Sequence, residues 1–376
     1  MHIVKVVIRQ LMLPQKTPFR LSYRVSSYKN PLLVEVHDEE GIVGYGECNV
    51  TDGPYFSGET IGSAFHLLKH FLIPELFKGD VPSPEIFFDR TQWIRRNRKA
   101  RGAVDMALWN LYAKEQGKAE AVLLGKYRER VPGGRSLGIQ ENPDALVRKV
   151  EKALDEGYRR IKVKIKPGYD IAYLAAVRKE FGNIPLSCDA NGAYTLNDAA
   201  LLKELDDFHM TMIEQPLGYD DIVDHSHLQA ILKTPICLDE SVESLEDARK
   251  ALSLGSCRTI NIKLSRVGGM TEARRIQNMA KEKGLRVWCG STFETGIGAG
   301  HNIAAASMEN YGYDSDIMNS LDLFKEEDLI TRPVTMETDG TFIVPDRPGS
   351  GFEPIPERLE SHTTEKWEFL RSDFEK

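Results

Sequence analysis

Long apolar runs are missing from this chain: no stretch approaches the roughly 18 residues that a bilayer-spanning helix needs, so a membrane role is not expected. The opening segment, MHIVKVVIRQLMLPQKTPFR, has no apolar block followed by a small-residue cleavage site and does not read as a secretory signal. Positive charge is also in short supply. Lys and Arg number 49 against 56 Asp and Glu, a net charge of -7, so neither nucleic acid nor an anionic membrane is expected as the main partner. Cysteine is sparse and scattered. Cys48, Cys188, Cys237, Cys257 and Cys289 form no CxxC pair, which argues against a disulfide framework or a zinc site. Such thiols fit a reducing cytoplasm, where they serve as small buried hydrophobes.

What is present is a globular composition: 376 residues, 41% hydrophobic and 28% charged, enough for one large barrel and a smaller partner domain. Residues 3–13, 32–36 and 42–47 read as antiparallel strands, with Asp38 to Gly41 turning between the second and third. Helical periodicity follows over 59–77 and 103–116. The pattern then changes. Over 131–306 short apolar runs (RSLGI, RIKVKI, IPLSCD, MTMIEQ, TPICLD, TINIK, LRVWCG) alternate with helical segments, the sign of parallel β/α units. Seven units without a change of character favour a closed barrel over an open sheet. The expected fold is α/β, a modified TIM barrel of (β/α)7β type. Its expected divisions are an α+β region over 1–128, the barrel over 129–325, and a tail over 326–376 that reads as strand, then helix, and returns to the first region.

Lys164, Asp189, Glu214, Asp239 and Lys263 each fall at the C-terminal end of an expected strand, separated by 25, 25, 25 and 24 residues. Strand C-termini of a barrel converge on one mouth, where barrel active sites lie. Three carboxylates on neighbouring strands repel one another unless a cation neutralises them. An all-oxygen set suits Mg²⁺, with Mn²⁺ as the alternative. Lys164 and Lys263 belong to strands two and six and so stand on opposite walls, one near each face of the α-carbon of a metal-held carboxylate. That arrangement suits removal of the α-proton by a lysine acting as acid/base. The nearby metal and cations are expected to lower the lysine pKa. Lys162, two residues before Lys164, points inward with it. Arg266 either plays the same part for Lys263 or is a solvated loop charge, and Asn191 either orients a ligand or shapes the turn in DANGAY. Glu240 is expected to support the ligands rather than join them. The bland alternative is a salt-bridged ring that only stabilises the barrel; a Schiff-base aldolase has no need of the three acids.

These residues resemble the enolase superfamily, in its muconate-lactonising subgroup. The stretches RIKVKIKPGYD, DANGAYTLNDA, IEQPL, TPICLDES, NIKLSRVGG and VWCGSTFETGIG are most similar to the o-succinylbenzoate synthase and N-acylamino-acid racemase branch. The resemblance implies Mg²⁺ on Asp189, Glu214 and Asp239, with Lys164 and Lys263 as acid/base residues. It also implies a capping domain made from both chain ends, with loops near 17–27 and 49–59 closing over a small carboxylate substrate. The implied reactions are dehydration to o-succinylbenzoate, a step of the menaquinone pathway, or racemisation of N-acylamino acids. The chain departs from the branch at YGYDSDIMNS, where Asp314 and Asp316 form a DxD pattern similar to that of dipeptide epimerases. LDLFKEEDLI resembles cycloisomerases. By strand order and resemblance, Phe19, Arg20, Tyr23, Tyr55, Phe56, Ser291, Phe293 and Glu294 are the candidate specificity residues, with Asn191 and Asp316. His301 is expected to be structural, and paired caps make a homo-oligomer the expectation. A barrel that only binds or scaffolds is the alternative of another class.

Overall fold

The computed structural model describes residues 1–20, 25–55, 57–324 and 328–374. The first N-terminal strands form where aliphatic and mostly β-branched residues cluster, as in IVKVVI and LLVEV. Ile3–Leu11, Leu32–Asp38 and Val43–Cys48 pair antiparallel, and the tail strand Thr363–Leu370 joins the outer edge beside Ile3–Leu11. The tail was expected to end in a helix. A short helix, Pro356–His362, does occur, but the chain closes as a strand. Its polar composition hid the signal, which lies in Trp367 and Phe369, two residues apart and packed on the sheet's core.

The helix Arg98–Glu115 lies across this sheet and is buried along most of its length. Close approach explains two glycines. A Cβ on Gly46 would stand 1.9 Å from the Ala103 carbonyl oxygen, and one on Gly44 would stand 2.1 Å from that of Ala107. Strand period two and helix spacing four bring the two pairs into step. Gly46→Ala is therefore expected to cost about 2–3 kcal/mol or more through overpacking; an unchanged urea midpoint would refute that contact.

The helix expected over 59–77 is present but interrupted, running Ile61–Leu67 and Ile73–Phe77 around a π-helical turn at Leu68–Leu72. The helix Pro84–Arg90 had no sequence expectation.

The barrel is a seven-stranded parallel sheet in sequential order from Gly134–Leu137 to Arg286–Cys289. Residues 310–316 act as an irregular eighth stave. The Gly312 and Asp316 N–H groups donate to Val287 and Cys289 on one side, and the Gly134 N–H donates to Ser315 on the other. Register advances around the ring: Glu214 lies opposite Asp189 but also opposite Cys237, and Leu238 opposite Ile260. That stagger tilts the staves as closure requires. Outward residues such as Ile161, Cys188, Ile213, Ile236 and Ile260 build the main core with the helices. Inside, Met212, Cys237 and Trp288 form a small apolar plug beneath the mouth. All five cysteines are free and buried.

Before the tail rejoins the first sheet, Thr341–Ile343 pairs with Arg130–Pro132 near the start of the barrel. Among the described residues no helix is long and apolar enough to cross a membrane.

Candidate active site

Inward positions on a strand recur every second residue, and the barrel interior is layered accordingly. The upper layer holds Lys164, Asp189, Glu214, Asp239 and Lys263, brought to one mouth as the spacing predicts. Asp189, Glu214 and Asp239 are wholly buried. Lys164 donates to Asp189 at 2.5 Å and to Asn191 Oδ1 at 2.6 Å. Lys263 donates to Asp239 at 2.5 Å. Lys162 lies 2.8 Å from Glu214, 2.9 Å from Asp316 and 3.5 Å from Asp189.

The electrostatics follow from burial and from these contacts. Burial and the charge of Asp189 push the Glu214 carboxyl up to about 8. Burial would also raise Asp239, but Arg266 and Lys263 outweigh it and hold the carboxyl well below its usual range. Lys263 departs from the sequence expectation of a lowered lysine. Burial lowers it, yet Asp239, Glu214 and Glu240 together raise it. Lys162 is likewise raised, burial being overcome by Asp316, Glu214 and Asp189.

Among the described residues no three His, Cys, Asp or Glu side chains converge closely enough to grip an ion as they stand, the ammonium groups resting on the acids instead. The donor set nevertheless fits a hard divalent cation. It offers oxygen only, from three neighbouring staves, and a buried Glu214 that resists ionisation calls for added positive charge.

The supporting residues divide clearly. Arg266 is buried, donates to Asp239 and to the Asn261 and Val242 carbonyl oxygens, and is no solvated loop charge. Asn191 serves both readings. It sits at φ +45° with its N–H on Asp189, and its amide joins Lys164 to Glu240. Glu240 stands behind the acids, pushed up to about 7 by burial and by Asp239.

Tyr55, Ser291, Phe293 and Asp316 line the cavity with Asn191 and the three lysines. Glu294 does not. Its carboxylate turns into its own loop, accepting from the Ser291 and Thr292 hydroxyls and the Thr292 N–H. Tyr23 and Phe56 lie outside the described residues, as do the side chains of Phe19 and Arg20. His301 is structural, buried between Glu120 and the Tyr45 carbonyl oxygen.

Asp316 is no unmatched anion. Its oxygens accept from Arg160 at 2.6 Å, Ser136 at 2.7 Å and Lys162 at 2.9 Å. Sequence reading missed Arg160, which also stacks over Trp288 at 4.7 Å, and Asn261, which donates to Glu214 at 2.7 Å. Parity was the available signal: residue 160 shares the inward face of 162 and 164, and residue 261 that of 263.

Comparison with known proteins agrees with this geometry. Residues 3–125 match the mandelate racemase/muconate lactonizing enzyme N-terminal domain, and residues 145–358 the enolase C-terminal domain-like family. The chain is 44% identical to o-succinylbenzoate synthase of Geobacillus kaustophilus over 362 residues, 96% of each chain. It is 40% identical to N-succinylamino acid racemase of Amycolatopsis over 367 residues, 97% of this chain and 99% of the other. A solved enolase-superfamily structure from Listeria innocua superposes with a TM-score of 0.96 at 39% identity, covering 99% of this chain and all of that one.

Proposed function

The chain belongs to the mandelate racemase/muconate lactonizing enzyme family of the enolase superfamily, and from that premise we propose that Lys164 and Lys263 exchange the proton α to a substrate carboxylate. The supporting observation is the pair of lysines on the second and sixth staves, flanking three buried carboxylates beside one cavity. Asp189, Glu214 and Asp239 would hold Mg²⁺, or Mn²⁺ in its place. When bound, that ion supplies positive charge that offsets the charge gathering on the substrate carboxylate as the proton leaves. Lys162, anchored between Glu214 and Asp316, adds fixed positive charge beneath the same carboxylate.

Relatives of both kinds are comparably similar, so two outcomes belong to one reading. In racemisation one lysine takes the α-proton and the other returns a proton to the opposite face. In dehydration to o-succinylbenzoate one lysine takes the α-proton and passes it to the departing hydroxyl, which leaves as water. The dipeptide epimerase reading gains less support, because Asp316 already carries two cations that would repel a substrate ammonium. The free, buried cysteines accord with a reducing cytoplasm.

The test is α-proton exchange in D2O with an N-succinylamino acid, followed by NMR. Exchange should need Mg²⁺ or Mn²⁺, vanish with a chelator and return on adding metal. No exchange and no water loss across N-succinylamino acids and succinyl-bearing cyclohexadiene acids would defeat the reading.

A further inference from the structure

The helix Arg98–Glu115 has two working faces. Ala103 and Ala107 meet the cap sheet at Gly46 and Gly44. Arg98, Gly102, Asp105 and Trp109 follow one another at intervals of four, three and four, so they form a single stripe on the far side. That stripe lies on residues 268–271 of the barrel. The contact is close. A Cβ on Gly102 would stand 3.0 Å from the Gly269 nitrogen, and one on Gly269 would stand 2.3 Å from Asp105 Oδ2.

The barrel side of this contact begins the helix Met270–Glu282. Gly269 is its N-cap, and glycine has no side chain with which to satisfy the first N–H groups. Asp105 does so from the cap: its buried carboxylate accepts the Thr271 N–H at 3.0 Å. A negative charge there also meets the favourable end of the helix dipole. Trp109, one turn along, donates its indole N–H to the Thr271 hydroxyl at 2.9 Å. Thr271 is thus gripped twice from one helix.

The gripped segment is tied to Lys263. The strand Thr259–Ile262 ends at that lysine, and the short helix Leu264–Val267 leads from it to Gly268. The Lys263 carbonyl oxygen accepts from the Arg266 and Val267 N–H groups, and that of Leu264 from Gly268 and Gly269. Residues 263–273 are buried throughout, so the turn has no room to shift without its neighbours. Lys164 takes its place differently, its ammonium held by Asp189 and Asn191.

We propose that Asp105 is a positioning residue for Lys263. By closing the N-terminus of Met270–Glu282 it sets where the turn after Lys263 lies, and so the aim of that ammonium, while the aim of Lys164 is left to the barrel. The inference rests on the reading of Lys164 and Lys263 as the two proton-exchanging groups, and it makes cap packing a determinant of one face of the reaction.

The test uses the full-length enzyme with Mg²⁺ in D2O and both enantiomers of N-succinylphenylalanine, followed by NMR. The enantiomer served by Lys263 is the one whose exchange Lys263→Met removes. In Asp105→Ala its exchange should fall at least about tenfold relative to that of the other enantiomer, since a displacement near 1 Å costs up to about 10²-fold. The fall should lie in the rate at saturation rather than in KM. Asp105→Asn keeps an acceptor oxygen and should restore most of the ratio. Trp109→Phe, which removes the bond to the Thr271 hydroxyl, should move the ratio the same way by at least about threefold. That variant decides the question if Asp105→Ala fails to fold. An unchanged ratio in folded variants, or an equal fall on both enantiomers, overturns the proposal, because the contact then only stabilises the fold.

Crystal structures of the variants keep this outcome separate from the catalytic reading. If the parent exchanges no α-proton, but Lys263 leaves Asp239 in Asp105→Ala while Lys164 stays on Asp189, the positioning stands and the reaction assignment fails. If Lys263 keeps its place on Asp239 in every folded variant, the positioning falls whatever the turnover.

Discussion

Lys164→Met and Lys263→Met should each abolish racemisation of an N-succinylamino acid, with kcat falling by about 10²–10⁴-fold, the range that a positioned acid/base group supplies. The two losses should differ in kind. A lysine takes a proton from one face, and its ammonium protons exchange with solvent before one is returned. An enzyme keeping a single lysine should therefore still wash deuterium into one enantiomer while failing to convert it to the other. The variant lacking the opposite lysine should show the mirror preference. Dehydration needs one lysine both to take the α-proton and to pass it to the departing hydroxyl, so the two variants should be unequal in that reaction. The placement of Lys164 and Lys263 on the second and sixth staves is what makes this stereochemical split an expectation of the fold. Racemisation that survives either substitution within tenfold would refute the two-sided arrangement. NMR of each enantiomer in D2O reads the result directly.

The barrel and its mouth were legible because their signals are periodic. Residue type repeats at unit length, so Lys164, Asp189, Glu214, Asp239 and Lys263 declare their common end before any contact is known. The eighth stave was less legible, since 310–316 is polar and held by scattered bridges rather than a regular ladder. Partnership was the harder inference. Asp316 read only as part of a DxD pattern with Asp314, similar to that of dipeptide epimerases. Its actual partners, Arg160 and Lys162, stand more than 150 residues earlier on the second stave. Glu294 failed for the opposite reason, its partners being Ser291 and Thr292 within its own loop, a local closure that spacing does not reveal. Lys29 and Lys99 carried no sequence signal at all. They enter the cavity because a cap from elsewhere in the chain is laid over the mouth, which strand periodicity cannot report.

Asp316→Asn should destabilise the fold by about 3–5 kcal/mol, the usual consequence of removing one partner from a buried ion pair. The substitution keeps the shape and the bond with Ser136 but leaves the Arg160 and Lys162 cations facing a neutral amide. Arg160 is only 2% exposed and cannot turn to solvent without opening the barrel beneath the mouth. Burial alone would raise the Asp316 carboxyl. Lys162 and Arg160 overcome that and hold it well below the ordinary carboxylate range. The sign of the pH dependence follows. A depressed native pKa gives stability that is fully present above the unfolded value, about 3.9, and that is lost as pH falls toward the native one. The urea midpoints of the parent and of Asp316→Asn should therefore lie far apart at neutral pH and draw together on acidification. Replacing Arg160 with Met alongside Asp316→Asn should recover part of the loss, because one of the two stranded charges is then gone, and a double-mutant cycle isolates that coupling. A neutral-pH difference below about 1 kcal/mol, the range of exposed pairs, would mean that solvent reaches the pair and that Lys162 is held by Glu214 and Asp189 alone.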